Sequence, residues 1–189
     1  MSAYFKFNYK CNFITRSITV NMKTIEKIKN YQASTDEVFD CLDDLSVTGM
    51  HMTESSMPMM GGKMNLEFLS PNKIGLNTKY RWTGKVLWMA LDFTVSVTRW
   101  IKSKEKSWET VGIAKMIIYS CFRMDLKVEG NHQQSTAVLS ISYEKSKGFF
   151  NRLLSFLLAD WYCRWCLKNM LKDTENKLKS KNKMIMTIS

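Results

Sequence analysis

Proline and glycine are scarce, two and eight in 189 residues, which excludes collagen-like, linker-like and low-complexity chains. Acidic side chains are in the minority. Seventeen Asp and Glu stand against 28 Lys and Arg, so the net charge is +11 and the surface attracts anions. No long apolar run is present: residues 149–171, the most hydrophobic stretch, are interrupted by Arg152, Asp160, Arg164 and Lys168 and do not read as a membrane span. The first 22 residues set Lys6, Lys10 and Arg16 among Tyr4, Phe5, Phe7, Tyr9 and Phe13, so they hold no apolar core of signal-peptide length. Histidine is limited to His51 and His132, and no G-x-S-x-G sequence occurs. No catalytic residue is assigned.

A chain of this length buries roughly 70% of its unfolded surface as one domain and needs neither disulfide nor metal to fold. The five cysteines, Cys11, Cys41, Cys121, Cys163 and Cys166, are odd in number and scattered, so reduced thiols and a cytoplasmic location are expected. Cys163-Arg164-Trp165-Cys166 matches C-x-x-C. It lies inside a helical pattern with no strand before it and no second pair, which points to packing rather than redox or zinc chemistry. Met50, His51, Met52, Met57, Met59 and Met60 form the one metal-like cluster. Thioethers with an imidazole suit Cu(I), but flexible methionines also suit an adaptable lid over an apolar pocket, and the lid is preferred. No metal or cofactor is expected. Lys172, Lys177, Lys179, Lys181 and Lys183 alternate with polar residues and read as a solvated helix end. No zinc finger, RNP or P-loop accompanies them, so no specific nucleic-acid partner is expected.

Residues 24–31 alternate apolar with charged side chains and predict a strand. Ser34 or Thr35, followed by Asp36 and Glu37, is an N-cap signal for a short helix that turns Val38, Phe39, Cys41, Leu42 and Leu45 inward. Of its carboxylates, those near the start complement the helix dipole, and Asp40, Asp43 and Asp44 read as a solvated face. From Lys63 to Tyr143 the period becomes two. Met64, Leu66 and Phe68 share a face; Ser70 to Gly75 make a turn; Tyr80 and Trp82 lead into Gly84; Leu91, Phe93, Val95 and Val97 alternate with polar residues. Lys102–Lys106 reads as a charged hairpin loop, and Trp108–Val111 as a short strand. Met116, Ile118, Phe122, Met124, Leu126 and Val128 occupy even positions, His132 lies in an exposed turn, and Leu139, Ile141 and Tyr143 close the pattern. Six such strands imply an antiparallel sheet with one wet and one dry face.

After Gly148 a long helix is expected to about Lys179. It is apolar on two sides: Leu154, Leu158, Trp161 and Trp165 form one stripe, and Phe149, Phe156, Cys163 and Leu167 lie opposite. The first stripe is assigned to the sheet. The second needs a cover, which the N-terminal extension or a partner subunit in a homodimer could supply.

This order of elements resembles the START-like (SRPBCC) superfamily, which includes polyketide cyclase/dehydrase-like and lipid-transfer members. The likeness covers roughly residues 22–180, between an N-terminal extension (1–21) and a basic tail (181–189), and rests on Ala33 to Asp40, Gly61-Gly62, Gly84, Phe93 to Trp100 and Asp160 to Leu171. It implies an α+β helix-grip fold in which a curved antiparallel sheet wraps a long C-terminal helix around an apolar cavity. The lining would then come from the dry faces: Met64, Leu66, Phe68, Tyr80, Trp82, Phe93, Met116, Ile118, Phe122, Leu158, Trp161 and Trp165. Arg81, Arg99 and Arg123 are candidates to meet an anionic head at the rim. The implied function is non-enzymatic binding of a hydrophobic small molecule or lipid. A cyclase/dehydrase-like enzyme and a chaperone-activator-like interaction module are the alternatives. Deleting residues 1–21 is expected to lower the thermal midpoint or change the oligomeric state measured by native mass spectrometry. An unchanged midpoint and oligomeric state would rule out cover by that extension.

Overall fold

A computed structural model describes residues 9–11, 22–53, 63–86, 89–116, 119–145 and 149–188. After β1 (Tyr9–Cys11) and β2 (Lys23–Tyr31) come three helices, α1 (Thr35–Asp43), α2 (Leu45–Thr48) and α3 (Met50–Thr53). Six strands follow: β3 (Met64–Phe68), β4 (Lys79–Val86), β5 (Met89–Ile101), β6 (Glu105–Lys115), β7 (Tyr119–Gly130) and β8 (Ser135–Lys145). The last element, α4, spans Phe149–Ile188. The antiparallel sheet runs β2-β8-β7-β6-β5-β4-β3 and curves around α4, with β1 paired to the far half of β6.

Alternation builds the concave face. Phe122, Met124, Leu126 and Val128 of β7 sit opposite Tyr143, Ile141, Leu139 and Ala137 of β8, and all eight are buried. Cross-strand apolar pairs of this kind are the unit of sheet stability. Gly84 lies opposite Met64, where an added Cβ would stand 2.2 Å from the Lys63 carbonyl oxygen. Side chains are excluded there by backbone proximity. The start of α1 is the expected one: Ser34 Oγ accepts the Glu37 N–H at 3.3 Å, and the Glu37 carboxylate reaches back to Ser34, a capping box.

Several expectations are corrected. The face of α4 that meets the sheet and the short helices carries Ala159, Cys163, Leu167, Met170, Thr174 and Leu178, all buried. Leu158 and Trp165 are half-buried at its margin, and Trp161 is 47% exposed, in line with Arg164, Lys168 and Lys172 on the outer side. The stripe assigned to the sheet is therefore the wrong one of the two. The buried face also carries Tyr162 and Leu171. The side chains of Phe149, Leu154 and Phe156 lie outside the described residues, and so do Met57, Met59, Met60 and Ile118. Met116 belongs to the turn after β6, not to the strand that carries Phe122. The helix does not stop near Lys179. Its last turns are tied down by Lys181, 2.8 Å from Glu37, and by Glu175, which meets Lys29 at 2.5 Å and Lys179 at 2.8 Å. Those two lysines pull the Glu175 carboxyl down to about 2.

The described part of the N-terminal extension adds a strand to the sheet instead of covering α4. Tyr9, Lys10 and Cys11 pair with Ala114, Ile113 and Gly112, at the half of β6 that β7 does not pair with. Leu167→Ala is expected to cost about 2–5 kcal/mol in chemical denaturation, and Trp161→Ala only about 0.5 kcal/mol or less. Comparable losses for the two would return Trp161 to the core.

Candidate ligand-binding interior

The inner wall of β3 to β6 is aromatic. Met64, Tyr80, Trp82, Phe93, Val95 and Trp108 project from it and are buried, and the Phe93 ring meets Phe122 edge-on at 5.6 Å between centroids. The short helices close over this wall. At the α2–α3 junction a Cβ on Gly49 would stand 2.9 Å from the Trp82 ring, so the backbone rests directly on the indole. Leu66 and Phe68 are half-buried, with the Phe68 ring 6.3 Å from Tyr80.

A charged pair sits inside this apolar shell. Lys106 and Asp43, with side chains 3% and 4% exposed, approach to 2.5 Å between Nζ and Oδ1. The Trp100 indole N–H donates to Asp43 Oδ2 at 2.8 Å, and the Lys106 ammonium lies 5.0 Å from the Trp108 ring centroid. Burial pushes the Lys106 pKa down, while Asp43 acts in the opposite sense. Neither residue is where its neighbours in sequence suggest: the solvated face expected for Asp43 and the hairpin loop expected for Lys106 are both corrected. In the structure β6 begins at Glu105, so Lys106 shares a face with Trp108 and Thr110, and Asp43 follows the buried Phe39 by one helical turn. Trp100 joins them because the β5–β6 register slips between Val97 and Arg99. That bulge moves an even-numbered residue to the face of Phe93, Val95 and Val97. The signal available in sequence was the two-residue spacing of Lys106 from Trp108 and the four-residue spacing of Asp43 from Phe39.

Three other polar groups lie on this wall, the Tyr80 hydroxyl and the indole N–H groups of Trp82 and Trp108, and all three belong to buried side chains. Burial, and then the nearby charge of Asp43, push the Tyr80 phenol up, so it is a neutral donor. The two indole N–H groups are donors only, so the wall offers hydrogen bonds to an acceptor. At the α4 side, Tyr143 donates to Asp160, which also binds Lys23; this set ties the helix to β8 and the edge strand. Burial pushes the thiols of Cys163 and Cys166 up, Cys166 to about 12, which removes thiolate chemistry from that C-x-x-C.

Of the sequence-assigned lining, Met64, Tyr80, Trp82, Phe93, Met116 and Phe122 are buried, and Leu66, Phe68, Leu158 and Trp165 are half-buried against them. Trp161 is apart. The three arginines named for the rim are engaged on the outer face: Arg81 is 2.8 Å from Asp92, Arg99 2.5 Å from Glu105, and Arg123 3.0 Å from Asp125.

The overall arrangement is shared with solved structures. A protein of Thermus thermophilus aligns with a TM-score of 0.63 at 14% identity, covering 84% of this chain and 99% of the other. This chain has the α+β helix-grip fold. The ZhuI aromatase/cyclase of Streptomyces sp. R1128 is similar at a TM-score of 0.60 and 12% identity, over 84% of this chain and 96% of the other. Norcoclaurine synthase of Thalictrum flavum, bound to dopamine and hydroxybenzaldehyde, is similar at a TM-score of 0.61 and 10% identity, over 93% and 96% of the two chains. No protein-family model and no curated protein matches the sequence. Among the described residues no helix is long and apolar enough to cross a membrane. Lys106→Met or Asp43→Asn alone is expected to cost about 3–5 kcal/mol, because each strands a buried charge or its partner. The double variant Asp43→Asn with Lys106→Met should recover most of that loss in a double-mutant cycle by urea unfolding.

Proposed function

We propose that the protein binds a hydrophobic small molecule or lipid between the aromatic wall of β3–β6 and α4, without transforming it. The observation that carries this reading is the wall of buried aromatic side chains, Tyr80, Trp82, Phe93 and Trp108, which brings one phenol and two indole donors into an otherwise apolar surface. Such a wall suits a flat, mostly apolar ligand bearing oxygen acceptors, held by burial and oriented by a few hydrogen bonds. The helix-grip neighbours include proteins described as an aromatase/cyclase and a norcoclaurine synthase, and an interior site fits that company.

A second reading, a cyclase-like enzyme acting in the same interior, is favoured by Lys106. A lysine whose pKa is lowered by burial, sharing Asp43 as a neighbour with a neutral phenol, resembles the acid–base groups that catalysis requires. Its pairing with Asp43 is the counter-observation, because an ammonium held by a carboxylate is not free to transfer its proton.

Native mass spectrometry of protein purified without detergent, followed by denaturing extraction, tests the binding. A discrete mass released on unfolding is expected, and the wild type should hold the extracted compound with little dependence on salt. Tyr80→Phe should weaken binding about three- to tenfold, the worth of one hydrogen bond, and Trp82→Ala further. A bare protein mass together with no quenching of tryptophan fluorescence by a panel of apolar probes would overturn the reading. Chemical conversion of the extracted compound on prolonged incubation would replace it with the enzyme.

A further inference from the structure

The β3–β4 loop, residues 69–78, is bonded at its base. Leu69 N–H donates to the Lys79 carbonyl at 2.8 Å, Lys79 N–H to Ser70 Oγ at 3.0 Å, and Asn77 N–H to the Val97 carbonyl at 3.0 Å; Val97 N–H returns to the Thr78 carbonyl at 2.9 Å. These bonds fix the ends of the loop against β4 and β5. The loop turns Leu69, Ile74 and Leu76 outward, and Ile101 stands out likewise at the β5–β6 hairpin; all four are between 43% and 57% exposed. Most exposed aliphatic residues occur singly and mean little, but a cluster on one surface marks an interaction site.

Both loops leave the same end of the sheet, since Lys79 at the start of β4 lies opposite Ser96 and β5 continues from there to Ile101. Lysines stand among the aliphatics: Lys73, Lys79, Lys102 and Lys104 are exposed, and Lys73 is held 5.6 Å from the Phe68 ring centroid. The nearby Glu105 is already taken by Arg99 at 2.5 Å. We infer that this end of the sheet is a docking surface for an anionic lipid bilayer, with the loop tips entering the boundary between headgroups and acyl chains. Aliphatic tips and cations interleaved on projecting loops match that boundary, where apolar insertion and attraction to anionic headgroups act together. A protein partner accounts for the aliphatics alone and leaves the ring of lysines unexplained. The inference stands on surface residues and is independent of what occupies the interior.

Co-sedimentation of the full chain with vesicles of phosphatidylcholine alone, and of phosphatidylcholine mixed with phosphatidylserine, tests it. The wild type is expected to bind the mixed vesicles and hardly the neutral ones. Ile74→Ser with Leu76→Ser should weaken that binding about tenfold or more, and Lys73→Gln with Lys102→Gln about fivefold per lysine; both pairs are exposed, and an unchanged circular dichroism spectrum verifies the fold. Lys168→Gln with Lys172→Gln, on the outer face of α4, should leave binding intact. Three results would each overturn the inference: no binding of the wild type to either vesicle, equal binding by the loop variants, or loss only in the α4 variant. A loop variant that instead turns a dimer into a monomer would also do so, by assigning the surface to a second copy of the chain.

Discussion

A charge inside an apolar shell has to bring its partner with it, and the contact between Asp43 and Lys106 meets that condition for this fold. Each ion would lose several kcal/mol of hydration if buried alone. At 2.5 Å, with a second oxygen of the carboxylate bound to the Trp100 indole, the pair converts that penalty into a restraint on geometry. The last turn of α1 has to sit over the start of β6, and the bulge in β5 has to deliver Trp100 to the same place. The short helices, and with them the roof of the interior, are positioned by this requirement. Such a pair specifies an arrangement more than it stabilises one, which agrees with its place at the junction of two elements far apart in sequence.

A different balance operates at the other wall. The buried face of α4 mixes small and large residues, Ala159, Cys163 and Thr174 with Tyr162, Leu167, Met170 and Leu171, while its indole at position 161 is turned to solvent. A helix held by a concave sheet buries the stripe that the sheet and the short helices reach, and the other stripe stays outside. Ion pairs at its far end, through Glu175 and Lys181, extend that grip past the point where the apolar pattern fades. Aromatic mass is concentrated on the sheet, where Tyr80, Trp82, Phe93 and Trp108 are all buried. The interior therefore combines a tightly packed half, against β7 and β8, with a wall of aromatic rings.

Much of this is legible in the residues. The period of two across residues 64–143 locates six strands, and the Ser34 and Glu37 capping signal locates α1. The inward positions of Met64, Tyr80, Trp82, Phe93 and Phe122 follow from alternation alone. What stays hidden has physical causes. A bulge reverses alternation without leaving a mark in composition, so Trp100 has no legible place. A helix with two apolar stripes offers two equivalent faces until its partner is known, so Trp161 reads as inward when it faces out. Charged residues default to solvent, so Asp43 and Lys106 read as surface when each is the other's reason for being buried.

The sequence by itself determined the architecture: antiparallel strands, a short capped helix and one long terminal helix, because periodicity and capping are local properties that a dozen residues can specify. Only the tertiary structure decided which polar groups lie inside and which apolar residues face out. Those outcomes depend on who stands opposite whom across a bulged and curved sheet, and no stretch of sequence contains its own neighbours in space.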